Sequence, residues 1–223
     1  MLNVKRNEAF ASLKIIEYRN LLMGRFVFIM GLRMMGTLIG WWIYNLTNDP
    51  FAIGLIGLSE VIPAVSFALY AGHVIDQSEK RKLLLRGVGL YFSAILILFF
   101  LSTHFISNRI SNHSIALFIY SVIFCTGIIR AFMGPVFGVM IAYIVPKDTL
   151  QNATTWNQGT WLSASVTGHA LGGFLIAGIG ISGTLLFIAI LISAAIIFLI
   201  KLKQKPSLNI RGEKKPWDSV KKG

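Results

Sequence analysis

Charge is scarce in this 223-residue chain: Asp, Glu, Lys and Arg make up 13% of it, about half of what a soluble domain carries. Acidic residues are scarcer still, nine against 21 basic ones. With 55% hydrophobic residues and a mean hydropathy of +0.68, there is too little polar surface to hydrate a globule, so lipid must be the solvent. Cysteine is limited to Cys125, which excludes an internal disulfide. No Cys/His set has metal-ligand spacing, so neither a metal nor a cofactor is expected. Cys125 lies in an apolar run and reads as a small packing residue. The first 20 residues lack the apolar core of a cleavable signal peptide; 1–20 is amphipathic and charged, a cytoplasmic N-terminal segment. The apolar runs contain no paired aspartates, no Ser/His set and no His-x-x-x-His, which argues against an intramembrane enzyme.

What the chain has is membrane-length apolar segments. A spanning helix needs roughly 20 mostly apolar residues, and six runs qualify: 21–46, 51–75, 83–105, 114–145, 150–178 and 181–200. The expected fold is therefore an all-α polytopic membrane protein, a six-helix bundle over 21–200 followed by a basic tail, 201–223. The net charge of +12 does not signal nucleic acid, because no soluble module remains to bind it. Seventeen of the 21 basic residues instead fall before the first run, after the second and fourth, and after the sixth. By the positive-inside rule both termini are cytoplasmic, and the hairpins at 45–50 and 104–113 face outward. Small residues at four-residue spacing (Gly36/Gly40, Gly134/Gly138 and Gly168/Gly172) suit close helix packing.

Three ionisable residues fall deep within runs: Arg33, Glu60 and Arg130. Each costs about 2.5–3.5 kcal/mol at a helix centre on insertion scales and so tends to face the bundle interior or a wet cavity. Arg33 and Glu60 come at similar depth on consecutive helices, where they could pair. Arg33, Thr37, Trp41 and Tyr44 recur at helical spacing on the first run; Asn152, Trp156, Thr160, Ser163 and Thr167 do so on the fifth. Two polar stripes on separate membrane helices suggest a shared aqueous path, against the plainer reading that they only bond helix to helix. Arg25, near the cytoplasmic end, reads as a snorkelling anchor, His73 as interfacial, and His169 as a neutral packed histidine.

The loop Gly72-His-Val-Ile-Asp76-Gln-Ser-Glu-Lys80-Arg81-Lys82 resembles the loop between helices 2 and 3 of the major facilitator superfamily, roughly Gly-x-x-x-Asp-Arg-x-x-Arg-Arg, with Gln77 in place of a basic residue. Arg130-Ala-Phe-Met-Gly134-Pro-x-x-Gly138 is similar to that family's helix 4 motif. The helix 5 motif of its antiporters, ending Gly-Pro-x-x-Gly-Gly, is matched by Gly168-His169-Ala-Leu-Gly172-Gly173, with histidine for proline and Ala164 for an expected glycine. The run from Trp42 to Gly57, followed by Glu60 and Pro63, and the string from Ile144 to Ala153, are similar to the enterobactin-exporter-like branch of bacterial efflux carriers.

The resemblance implies one six-helix half of a two-half secondary transporter in a bacterial inner membrane. It would export a small amphiphilic molecule by alternating access, driven by protons, with the substrate held between halves near mid-membrane. Arg33, Glu60 and Arg130 would couple substrate to protons; Thr37, Trp41, Tyr44, Trp156, Thr160 and Ser163 would line the cavity. Gly72, Asp76, Lys80, Arg81 and Lys82 would form the cytoplasmic gate, Asp76 meeting a helix of the second half. The tail from Lys214 to Gly223 resembles the linker into that second half, so the chain reads as a fragment that ends where helix 7 would begin. Its partners would be the bilayer, a small substrate, protons, and the missing C-terminal half or a second copy in parallel. An inert truncated remnant is the other alternative.

Overall fold

The computed structural model describes residues 9–103 and 109–204. They form six helices, α1 (Ile16–Thr47), α2 (Pro50–Ser66), α3 (Ala68–Gln77), α4 (Lys80–Leu101), α5 (Asn112–Ile144) and α6 (Leu150–Ile200), with short 3-10 turns at Ser12–Lys14 and Lys147–Thr149. There is no strand among the described residues. Four helices (α1, α4, α5 and α6) are long and apolar enough to cross a membrane, and α2 with α3 makes a fifth if the bent pair is one span.

The loops end the helices by ordinary capping chemistry. Asn48 takes the left-handed conformation (φ 52°) that closes α1. Asp49 then accepts the Phe51 N–H at 2.9 Å, with Pro50 in the first turn of α2 where no N–H is needed. Ser111 caps α5 by accepting the Ser114 N–H.

One departure from the six-run reading, in the second run, has local causes. The second run is not one straight helix, because α2 and α3 meet at a 52° bend. Pro63 withholds an N–H inside α2, and Ser66 Oγ donates to the Ile62 carbonyl at 2.8 Å; both loosen the last turn. The fifth and sixth runs, 150–178 and 181–200, meet within the 51-residue α6 at Gly180 (φ 69°, ψ −173°), a conformation open to glycine alone.

A straight helix of that length would reach about 75 Å, far more than a hydrocarbon core of about 30 Å. The packing against α1 shows that α6 is not straight. Gly168 and Gly172 lie against Met30 and Met34, whereas Gly24 and Gly31 lie against Leu199 and Ile192. Numbers rise together along the first arm and oppositely along the second, so the chain reverses at Gly180 and both arms flank α1. The contact of α1 with α6 is the most extensive in the bundle.

Close approach is concentrated where glycine permits it, as lipid supplies no hydrophobic drive between helices. A Cβ on Gly127 of α5 would collide with the Glu60 carbonyl and the Pro63 ring of α2. On Gly168 it would come within 2.6–2.7 Å of the Met30 carbonyl and Arg33 Cβ of α1. Of the three spaced pairs, only Gly168/Gly172 makes such a contact on both members; Gly36, Gly134 and Gly138 have nothing within 4 Å, and Gly40 only Ile53 at that limit.

The α3–α4 loop is held by its basic residues. Lys80 is buried, and its Nζ donates to the Ile75, Asp76 and Ser78 carbonyls, closing the C-terminus of α3. Glu79 caps α4 by accepting the Arg81 and Lys82 N–H groups at 3.0 and 2.9 Å. Arg81 Nη2 donates to the Ile200 carbonyl at 2.6 Å, and the Lys203 N–H to Glu17 Oε1 at 3.0 Å. The start of α1, the α3–α4 loop and the end of α6 therefore gather at one end of the bundle.

Gly127→Leu and Gly168→Leu should each lower stability by about 1–3 kcal/mol or more through overpacking, while Gly36→Ala stays within about 0.5 kcal/mol; melting of the purified protein in detergent measures all three. Lys80→Met strands the carbonyls that end α3 and should cost about 1.5–3 kcal/mol. The exposed neighbour Lys82→Met should cost less than about 0.5 kcal/mol in the same assay.

Candidate functional site

Helices α1, α2, α4, α5 and the first arm of α6 enclose a cavity of about 280 Å³. Its wall is largely apolar, with Phe28, Ile39, Ile123 and Phe137 among the lining side chains. Set into it are Arg25, Arg33, Glu60, Arg130 and His169, with Tyr91, Thr126 and Trp161.

Glu60 is paired by Arg130, not by Arg33: Arg130 Nη1 donates to Glu60 Oε1 at 2.5 Å, linking α2 to α5. The Gly127 contact explains the pairing. With no side chain at 127, α5 lies directly on the Glu60 turn, and Arg130, one turn further on, comes within reach of the carboxylate. The pair is half open, with Arg130 51% and Glu60 32% exposed.

Arg33 turns to the first arm of α6. Its Nε donates to Ser165 Oγ at 3.2 Å, and its guanidinium stands 5.3 Å from the Trp161 ring centroid. One turn on, Thr37 Oγ1 lies 2.9 Å from His169 Nδ1, so the histidine is held at the cavity wall by a polar partner. Arg25 departs from the expected snorkelling anchor. It faces the cavity, 5.1 Å from the Phe137 ring centroid, and its buried Nε has no hydrogen-bond partner among the described residues. On α4, Tyr91 donates to the Thr126 carbonyl of α5 at 3.2 Å, closing the floor between those helices.

The other expected lining residues lie elsewhere. Trp41 and Tyr44 are exposed further along α1 and off the cavity wall. Trp156 Nε1 donates to the Ala9 carbonyl at 2.8 Å, and its ring lies against Phe10. Asn152 grips the same segment, accepting from Ser12 and donating to the Ala9 carbonyl. That end of the stripe thus straps the N-terminal segment to α6. Ser163 is exposed and Thr160 half-buried, neither on the wall.

The residues of this arm on the cavity wall are Trp161 and His169, with Ser165 between them bonded to Arg33. These three repeat every four residues, but so do Asn152, Trp156 and Thr160, so spacing alone does not single them out. Tyr91 sits alone in an apolar stretch and offers no sequence signal.

At the loop end, Gly72, Asp76 and Lys82 are exposed, and the Asp76 carboxylate has no partner among the described residues. Lys80 and Arg81 are spent on helix ends, as described above. His73 is exposed and bonded to Gln77. Among the described residues no three His, Cys, Asp or Glu side chains come together in a way that would hold a metal ion.

No individual curated protein matches the chain significantly. The family model described as Major Facilitator Superfamily matches residues 21–222, nearly the whole sequence and every helix that builds the cavity. The chain therefore belongs to the Major Facilitator Superfamily, a family of membrane transporters.

Proposed function

We propose that this bundle is the N-terminal half of a proton-coupled exporter of small amphiphilic molecules, of the enterobactin-exporter-like branch, working in a bacterial inner membrane. In this reading the chain crosses six times: α1, α2 with α3 as one bent span, α4, α5, and the two arms of α6. Support for an even number comes from the gathering of the α1 start and the α6 end at the lysine- and arginine-rich loop, which the charge rule assigns to the cytoplasm. A second six-helix half, on the same chain or another, completes the transport path.

The observation that carries the proposal is the Glu60–Arg130 pair on the cavity wall. A proton arriving at Glu60 discharges the carboxylate and releases Arg130, leaving a guanidinium that must find another partner or water. Two charge states of one pair then favour two arrangements of α2 against α5, and the pair biases which side of the cavity is open. Arg33 supports the same wall from α1. In the same reading Asp76, exposed at the loop end, would meet a helix terminus of the other half.

Everted vesicles carrying the bundle with a second half, with fluorescent amphiphilic dyes supplied at their outer (cytoplasmic) face, test this, because an exporter then moves the dye inward. Wild-type transport should rise several-fold with an imposed pH gradient, and Glu60→Gln should remove that dependence. A gradient response unchanged in Glu60→Gln would overturn the coupling role, as would a wild-type protein indifferent to the gradient.

A further inference from the structure

The cavity is not electrically balanced. Three arginines line it against one glutamate, and among the described residues no other carboxylate does. Glu60 neutralises Arg130 alone, which leaves two positive charges uncancelled. Arg33 has only uncharged partners, the Ser165 hydroxyl and the Trp161 ring. Arg25 rests on the Phe137 ring, and its Nε is buried without any hydrogen bond. A guanidinium away from water needs a counter-charge, and a buried N–H needs an acceptor. Neither arginine has a carboxylate partner among the described residues, and the Arg25 Nε has no acceptor either.

We infer that the ligand of this cavity is an organic anion, an apolar or aromatic body bearing a carboxylate, sulfonate, phosphate or phenolate group, with Arg25 and Arg33 supplying the counter-charge. The two arginines are eight positions apart on one face of α1, about 12 Å along its axis, so they offer two seats for negative charge along the cavity. Phe28, Ile39, Ile123 and Phe137 provide the surface for the apolar body. Planar guanidinium groups engage such oxyanions through paired N–H donors. Glu60, held by Arg130, stays out of this recognition, so the acid read as the coupling group and the bases that choose the ligand are separate. The inference rests on the cavity being the transport site, but binding alone tests it.

Two dyes with one skeleton serve as probes: 8-anilinonaphthalene-1-sulfonate, an anion, and N-phenyl-1-naphthylamine, which lacks the sulfonate. Fluorescence titration of the full chain in lipid nanodiscs, with empty discs subtracted, should show saturable binding that favours the anion. Arg25→Gln and Arg33→Gln should each weaken the anion at least tenfold, the cost of losing a charge-assisted hydrogen bond. Both variants should leave the neutral dye within about twofold. Arg25→Lys, which keeps the charge, should retain most of the anion's affinity. Should Arg25→Gln fail to insert, Arg33→Gln decides by the same comparison.

Equal affinity for both dyes in the wild type overturns the proposal, and so do variants that weaken both dyes alike. No gradient is used, so failure here leaves the Glu60 coupling result untouched. An unchanged gradient response in Glu60→Gln leaves the dye preference standing.

Discussion

A charge inside a bilayer has no water to solvate it, and the Glu60–Arg130 pair is how this bundle meets that constraint between α2 and α5. Much of the local structure serves the pairing. Gly127 lets the two helices touch at the Glu60 turn, and Pro63 lies in the same contact. Pro63 and the Ser66 back-bond also contribute to the bend that turns α3 away from α2. The cavity is bounded on one side by this contact and on the other by the packing of Gly168 and Gly172 on α1. Two glycine contacts thus help to set Glu60 and Arg33 on the wall of one space.

The same rule, that a polar group away from water needs a partner, governs the loop end of the bundle. Helix C-termini leave carbonyls unbonded, and here Lys80 closes α3 while Arg81 reaches the end of α6. A basic cluster that signals sidedness by its charge also works as a pair of helix caps. Its capping role makes α4 the element that ties the middle of the chain to the end of the last helix. Asp76 is the acid of the cluster left facing outward.

The apolar runs were legible because lipid imposes length and composition directly, and their order and limits agree with the helices to within a few residues for α1, α4 and α5. Backbone events were less so. Pro63 marks a weak point in the second run, but neither the place nor the angle of the bend after Ser66 can be read from it, whereas the break at Gly180 falls between the fifth and sixth runs. The charged residues were legible as interior by their cost, but not their partners. Arg33 and Glu60 share a depth, yet depth carries no information about azimuth. That depends on which helices touch, and Gly127 brings α5 rather than α1 onto Glu60. The stripe on the first arm of α6 misled for a related reason. Polarity alone does not distinguish a face turned to a cavity from one turned to a neighbouring segment, and both registers there are polar.

That double register has its own logic. The first arm of α6 carries Asn152 and Trp156 near its start and Trp161, Ser165 and His169 further along, each with a polar or charged partner except Trp161, which offers its ring to Arg33. The start of the arm holds residues 9–12 across its surface, and Tyr18 adds a bond to the Ala153 carbonyl at 2.6 Å. Two polar sets on one helix can serve different neighbours only if they lie on different azimuths, and the five residues from Trp156 to Trp161, about 140° of net rotation, provide that. The strap anchors the start of the arm against the N-terminal segment, so the later turns are held in rotation as well as in position. Any rotation that loosened the strap would also swing Ser165 away from Arg33 and His169 away from Thr37. The N-terminal segment, though remote from the cavity, is in this way part of what orients its wall.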